Sequence, residues 1–256
     1  MANDGTNGAF LNMADAVLGP PLARGQGGDP AILCGDEVVT YAELDGRANR
    51  AGNAFRTLGV GVGDRVLLMV VDQAVFFYAY LGLLKIGAVP CALNLRLSAA
   101  DLAYTMADSG ARILLTDRDF LEVCETACAA VDDAPLLLLS NAEGPGWISL
   151  PRLMASASPD LQSVQRPADA PGFWMYSSGT TGKPKGVVHA QRTVFAARAM
   201  MGDVIGLGPG DRVFCSSKLF FAFSLGHLMF ATLQLGATAI LYPGWPDVTA
   251  VADVVA

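Results

Sequence analysis

The stretch "GVGDRVLLMVVDQAVFFYAYLGLLKIGAVP", residues 61–90, decides the fold class. In "RVLLMVV", residues 65–71, the run after Arg65 is continuously apolar without alternation, the pattern of a strand covered on both faces in a parallel sheet. A helix is predicted from about Gln73 to Ile86, and Gly87 ends it ahead of a short strand that contains Pro90. Strand, helix and strand in immediate succession make a βαβ unit, and such units build parallel sheets with helices on their faces.

The same alternation continues on both sides. Upstream, "TYAELDGRANRAGNAFRTLG" (residues 40–59) places Tyr41, Leu44, Ala48, Ala51, Phe55 and Leu58 at helical spacing. Thr40 and Glu43 form a capping box there, and Gly59 stops the helix. Downstream, Ser98 caps a helix closed at Gly110, "RILLT" is a strand, a helix runs over about Phe120–Ala130, and "PLLLLS" is a further strand. Residues 141–170, rich in Pro, Ser, Gly and Ala, read as a connection. Then come the strand "GFWMY", a polar loop, a helix over about Gln191–Val204, the strand "RVFCSS", a helix near Ser224–Leu235 and the strand "ATAILY".

There is an internal echo. "GVGDRV" at Gly61 returns as "GPGDRV" at Gly208, and each copy is followed by an aromatic-rich helix, a Gly-Ala pair (Gly87-Ala88, Gly236-Ala237) and a strand. The expectation is an α/β fold of two related lobes of mostly parallel sheet flanked by helices. Residues 1–165 are the first lobe with its connecting segment, and 166–256 begin a second. A cleft between two such lobes is a natural ligand site.

Composition narrows the function classes. The 256 residues are 52% hydrophobic and 16% charged with a net charge of −7, and no Lys/Arg run is present, which argues against a nucleic-acid partner. Five cysteines scattered through apolar segments read as reduced thiols of a cytoplasmic protein, and no metal-ligand spacing accompanies them. Residues 74–93 and 219–241 are long enough to span a bilayer. Each breaks at glycine into a helix-length and a strand-length piece, so both read as the interior of an α/β domain and no membrane partner is expected.

The polar loop is "YSSGTTGKPKGVVH", Tyr176–His189. It follows a strand, and ligands of open parallel sheets bind at the carboxyl ends of strands. Gly179, Gly182 and Gly186 let the backbone approach an anion, the hydroxyls of Ser177, Ser178, Thr180 and Thr181 are donors, and Lys183 and Lys185 supply charge. A phosphate-rich nucleotide fits. The Walker spacing does not, because Pro184 stands where that pattern needs its second glycine.

That loop resembles the signature phosphate loop of the acyl-adenylate-forming superfamily: acyl- and aryl-CoA ligases, adenylation domains of peptide synthetases, and luciferases. The resemblance extends through "TYAELDGRANRAGNAF" and "LGLLKIGAVPCALNLRLSAADLAY" and covers about Pro30 to Tyr242. "GFWMYSSG" and "KLFFAFSLGH" are most similar to benzoate-CoA ligases. The resemblance implies activation of a small aromatic carboxylic acid by ATP, with Mg²⁺ carried on the phosphates, and transfer of the acyl group to coenzyme A. It implies that Ser177, Ser178, Gly179, Thr180, Thr181, Gly182, Lys183 and Lys185 hold the nucleotide, with Lys185 also the candidate catalytic residue.

By the same resemblance Phe221, Ala222, Phe223, Gly226 and His227 line the acid pocket. The sequence departs from the family pattern twice there. Phe221 replaces a common histidine, and Phe223 a tyrosine frequent in benzoate-type members, which shifts the pocket toward a less polar or differently substituted ring. The family's later signatures, a Tyr-Gly-x-Thr-Glu segment, a Gly-Asp ribose grip and a late lysine, are not found in the 256 residues. The expectation is the N-terminal part of such a ligase, inactive alone and prone to self-association through uncovered sheet edges. A stand-alone aryl adenylating domain and a non-catalytic nucleotide- or aryl-binding module are the alternatives.

Overall fold

The computed structural model describes residues 10–142, 147–177 and 183–255. In chain order its strands are β1 (Phe10–Leu11), β2 (Pro30–Cys34), β3 (Glu37–Thr40), β4 (Arg65–Met69), β5 (Val89–Ala92), β6 (Ile113–Thr116), β7 (Leu136–Leu139), β8 (Ile148–Ser149), β9 (Arg166–Pro167), β10 (Pro171–Ser177), β11 (Lys185–Ala190), β12 (Arg212–Phe214) and β13 (Thr238–Leu241). The helices that matter for the site are α1 (Met13–Ala23), α2 (Tyr41–Thr57), α3 (Ala74–Lys85) and α4 (Ala99–Ser109).

The strand–helix–strand unit at 61–90 is β4–α3–β5, with β4 and β5 parallel from Arg65 opposite Val89 to Leu68 opposite Ala92. β4 sits inside a seven-stranded sheet ordered β11–β10–β5–β4–β6–β7–β8, in which only the β10–β11 pair is antiparallel. Both neighbours of β4 and both faces are covered, which is why its sequence shows no alternation. A second sheet has the order β12–β13–β2–β3, and β1 pairs with β9. Parallel-rich sheets flanked by helices are therefore the architecture.

Helix α3 is apolar nearly all round because it is buried nearly all round. Its one charge, Lys85, is buried and donates to Asp45 Oδ1 at 2.5 Å and Asn49 Oδ1 at 2.6 Å, both on α2. The two helices touch through glycine. A Cβ on Gly82 would stand 2.6 Å from the Ala48 carbonyl oxygen and 2.7 Å from the Gly52 nitrogen. Helix α2 opens on the expected capping box, Thr40 with Glu43. Among the described residues no helix is long and apolar enough to cross a membrane.

The echo is structural. In the first copy the Gly61 N–H donates to Asp64 Oδ2 at 2.8 Å, and Gly63 takes a φ of 81° that favours glycine. In the second, the Gly208 N–H donates to Asp211 Oδ2 at 2.8 Å and Gly210 takes 89°. Each turn then launches a strand that pairs in parallel with the strand after the Gly-Ala pair, β4 with β5 and β12 with β13.

Three features differ from expectation. The polar loop does not run directly into a helix. It returns as β11, whose first four residues are exposed, so no apolar pattern announced the strand. Residues 191–204 begin as a 3₁₀ turn (Gln191–Phe195), continue as α-helix (Ala196–Ala199) and end as a π turn (Met200–Val204). Finally, a division at 165/166 does not separate the sheets. β10 and β11 join the sheet of β4–β8, while β2 and β3 pair beside β13. A continuous apolar run identifies a strand but not its partner across the sheet.

Candidate active site

Ser177 ends β10 and Lys185 begins β11, directly opposite each other in register. Ser178, Gly179, Thr180, Thr181 and Gly182 lie outside the described residues. Because β10 runs parallel to β5, the loop leaves from the carboxyl end of the parallel set. Helix α4 meets the residues that flank the loop on either side. The Lys183 ammonium lies 5.0 Å from the centre of the Tyr104 ring, and the Tyr176 hydroxyl donates to Asp108 Oδ2 at 2.7 Å. Burial, and then Asp108, push the Tyr176 phenol well above its ordinary range, so it stays a neutral donor. A cavity of about 200 Å³ opens beneath, lined at its ends by Asn94 after β5, by Ser177 and by Phe221.

Among the described residues no carboxylate lines that cavity; Ser177 lines it and is exposed, and the exposed Lys183 and Lys185 flank its lining residue Pro184 in the chain. Hydroxyl and ammonium donors without competing acids suit a polyphosphate. Among the described residues no three His, Cys, Asp or Glu side chains gather as a metal site.

A second, more apolar cavity of about 410 Å³ has a lining that is consecutive in the chain with that of the first at Phe221–Ala222 and Met175–Tyr176. Phe173 and Met175 of β10 and His189 of β11 form one wall, and Thr193 and Met200 another. Ala222, Gly226, His227 and Phe230 close it. Phe173 and His189 are cross-strand partners whose rings stack at 4.4 Å and 5°. Burial lowers the His189 pKa, so the imidazole is neutral at pH 7. His227 Nδ1 lies 2.8 Å from the Phe223 carbonyl oxygen, and its ring stacks on that of Phe223. Residues 225–231 are a π turn, in which the Thr232 N–H and its hydroxyl both donate to the His227 carbonyl oxygen.

The segment joining the cavities, Phe220 to Phe223, is anchored from below. Lys218 and Asp72 pair at 3.1 Å with side-chain exposures of 2% and 6%. The ammonium also donates to the carbonyl oxygens of Tyr242, Pro243 and Gly244, at 2.8, 3.2 and 2.8 Å. The Leu219 N–H points at the Asp72 carboxylate, 3.3 Å from either oxygen. Asp72 follows β4 and Tyr242 follows β13, so this pair ties the carboxyl ends of the two sheets together. Burial pushes the Asp72 carboxyl up to about 6 against the opposing pull of Lys218.

The structure therefore brings Ala222, Gly226 and His227 into one cavity and places Phe221 in the other, beside Ser177. Phe223 lines neither and is 59% exposed. Sequence reasoning missed Phe173, Met175, His189, Thr193, Met200 and Phe230, together with the Asp72–Lys218 anchor. Only the alternation of "GFWMY" carried a signal, since Phe173 and Met175 share one face of β10.

The comparisons with known proteins agree with this geometry. The chain is 44% identical over 239 residues to the 3-hydroxybenzoate–CoA/4-hydroxybenzoate–CoA ligase of Thauera aromatica, covering 93% of this chain and 46% of that protein. Its fold superposes on a benzoate CoA ligase from Burkholderia xenovorans LB400 with a TM-score of 0.86 at 30% identity, over 95% of this chain and 48% of that one. An anthranilate CoA ligase solved in complex with anthranoyl-AMP matches with a TM-score of 0.89 at 28% identity, over 96% and 47%. The chain spans about half the length of the curated relatives it matches. With the AMP-binding enzyme family matching residues 22–256, the chain belongs to the AMP-binding enzymes.

Proposed function

We propose that this chain supplies the phosphate loop and the acid pocket of an ATP-dependent aryl acid–CoA ligase. One observation carries the reading: the linings of the apolar cavity and the loop cavity meet in the chain twice, at Ala222 and Phe221 and at Met175 and Tyr176. A flat ring held in the first points its carboxylate toward a nucleotide held in the second. Relatives that act on benzoate and hydroxybenzoates, and a neighbour bound to an aryl adenylate, support an aromatic acid.

In the proposed reaction a carboxylate oxygen attacks the α-phosphorus of ATP, the bond to pyrophosphate breaks, and acyl-AMP forms. The thiol of coenzyme A then attacks the acyl carbon and AMP leaves. Ser177 to Gly182, Lys183 and Lys185 hold the β- and γ-phosphates, and Lys185 steadies the charge that builds on departing pyrophosphate. Mg²⁺ accompanies the nucleotide on phosphate oxygens and water. With about half of its relatives' length, the chain contributes these parts to an activity that belongs to the whole protein.

The test is acid-dependent exchange of labelled pyrophosphate into ATP by the full-length protein. Exchange is expected with benzoate-type acids and not with acetate, and Lys185→Met is expected to slow it by roughly 10²-fold. Exchange with aliphatic acids alone, or full exchange in Lys185→Met, would overturn the reading.

A further inference from the structure

We propose that His189 is a specificity residue that reads a hydroxyl on the ring of the aryl acid, so that the preferred substrate is a hydroxybenzoate and not benzoate itself. The inference rests on the apolar cavity being the acid pocket.

The lining offers few polar groups, and most are already committed. The Thr193 hydroxyl donates to the Ala190 carbonyl at 2.7 Å. His227 Nδ1 is engaged with the Phe223 carbonyl. His189 is different. It lines the cavity, its ring plane is fixed by stacking on Phe173, and neither ring nitrogen has a hydrogen-bond partner among the described residues. The half-buried imidazole thus has its hydrogen-bonding capacity open to a ligand that displaces water from the cavity.

The chemistry of the missing partner follows from the charge state. Burial keeps the imidazole neutral, so it presents one N–H donor and one acceptor nitrogen. A phenolic hydroxyl both donates and accepts and suits either face of that pair. A second carboxylate on the ring does not, because no lysine or arginine lines the cavity. A methyl group leaves the imidazole unsatisfied.

The experiment measures kcat/KM in the full-length protein for 3- and 4-hydroxybenzoate and for 3- and 4-methylbenzoate, which match them in shape. The better hydroxybenzoate is expected to exceed its methyl counterpart by about tenfold, the scale of one neutral hydrogen bond in a desolvated site. His189→Phe keeps the stack on Phe173 and should bring the pair to within about twofold, through a fall in kcat/KM for the hydroxybenzoate larger than any change for its methyl counterpart. His189→Gln, with a donor and an acceptor, should retain part of the preference. Three results overturn the proposal: no hydroxyl preference in the unmodified protein, an unchanged preference in His189→Phe, or an equal loss on all four acids. Failure to activate any aryl acid would instead overturn the proposed function, and this inference with it. The comparison within the unmodified protein decides the matter even if a variant does not fold.

Discussion

Replacing Lys218 by methionine removes the positive half of the buried pair beneath the site. The Asp72 carboxylate then keeps only the long contacts from the Leu219 N–H, at 3.3 Å. Removing one partner of a buried ion pair costs about 3–5 kcal/mol, because the remaining charge is left desolvated. The three carbonyls that Lys218 now holds belong to half-buried or exposed residues and can turn to water, so they add little.

The loss must depend on pH, and its sign is fixed by the direction of the shift. Asp72 titrates at about 6 in the folded protein against about 3.9 in an unfolded chain. Between those values the folded state binds more protons, so the stability this group contributes is full below about pH 4 and declines through pH 6, by on the order of 3 kcal/mol. Without Lys218 the carboxyl is pushed higher still, and at pH 5 it is simply protonated. Urea unfolding followed by tryptophan fluorescence should show Lys218→Met costing about 3–5 kcal/mol at pH 8 and only ~1 kcal/mol at pH 5. Adding Asp72→Asn should recover at least half of the pH 8 loss. A deficit that is the same at both pH values, or a double variant no better than the single one, would refute the reasoning.

Two further outcomes test the scaffold. Gly82→Ala is favoured by helix propensity by ~1 kcal/mol, yet its Cβ would stand 2.6 Å from the Ala48 carbonyl oxygen, so a net loss of roughly 1–2 kcal/mol is expected in the urea midpoint. Asp64→Ala and Asp211→Ala each remove the carboxylate that accepts from the first glycine of the repeated turn. The half-buried Asp64 should cost about 1 kcal/mol and the exposed Asp211 less, read as a larger fall in Tm for Asp64→Ala.

What could be read from the residues follows from what each signal encodes. Local signals were sound: the Thr40–Glu43 box opens α2, Ser98 caps α4, and Gly87 and Gly236 end their helices with positive φ. Partnerships between distant segments were not legible. The pairing of β10 with β5 and of β2 with β13 depends on which buried faces meet, and continuous apolar runs are interchangeable in that respect. The site shows the same split. Ala222, Gly226 and His227 were legible because they share a segment with the family resemblance, whereas His189 reaches the cavity only through its register opposite Phe173. Asp72 after β4 and Lys218 after β12 are 146 positions apart, and their pairing depends on how the two sheets pack.

The internal echo shows where the site came to lie. Both copies have the same turn, the same aspartate acceptor and the same parallel strand pair. They part company in the helix between. In the first copy it is α3, a regular helix with nearly every residue buried. In the second copy the span from the turn to the Gly-Ala pair is two residues longer, Gly208 to Gly236 against Gly61 to Gly87. There the aromatic segment precedes a π turn at Leu225–Ala231. A π turn winds an extra residue into the helix and displaces the side chains after it. The result puts Gly226, His227 and Phe230 on the cavity, while Leu225, Leu228 and Met229 stay in the core. One scaffold thus serves twice, and the apolar cavity is built where the second copy departs from the first.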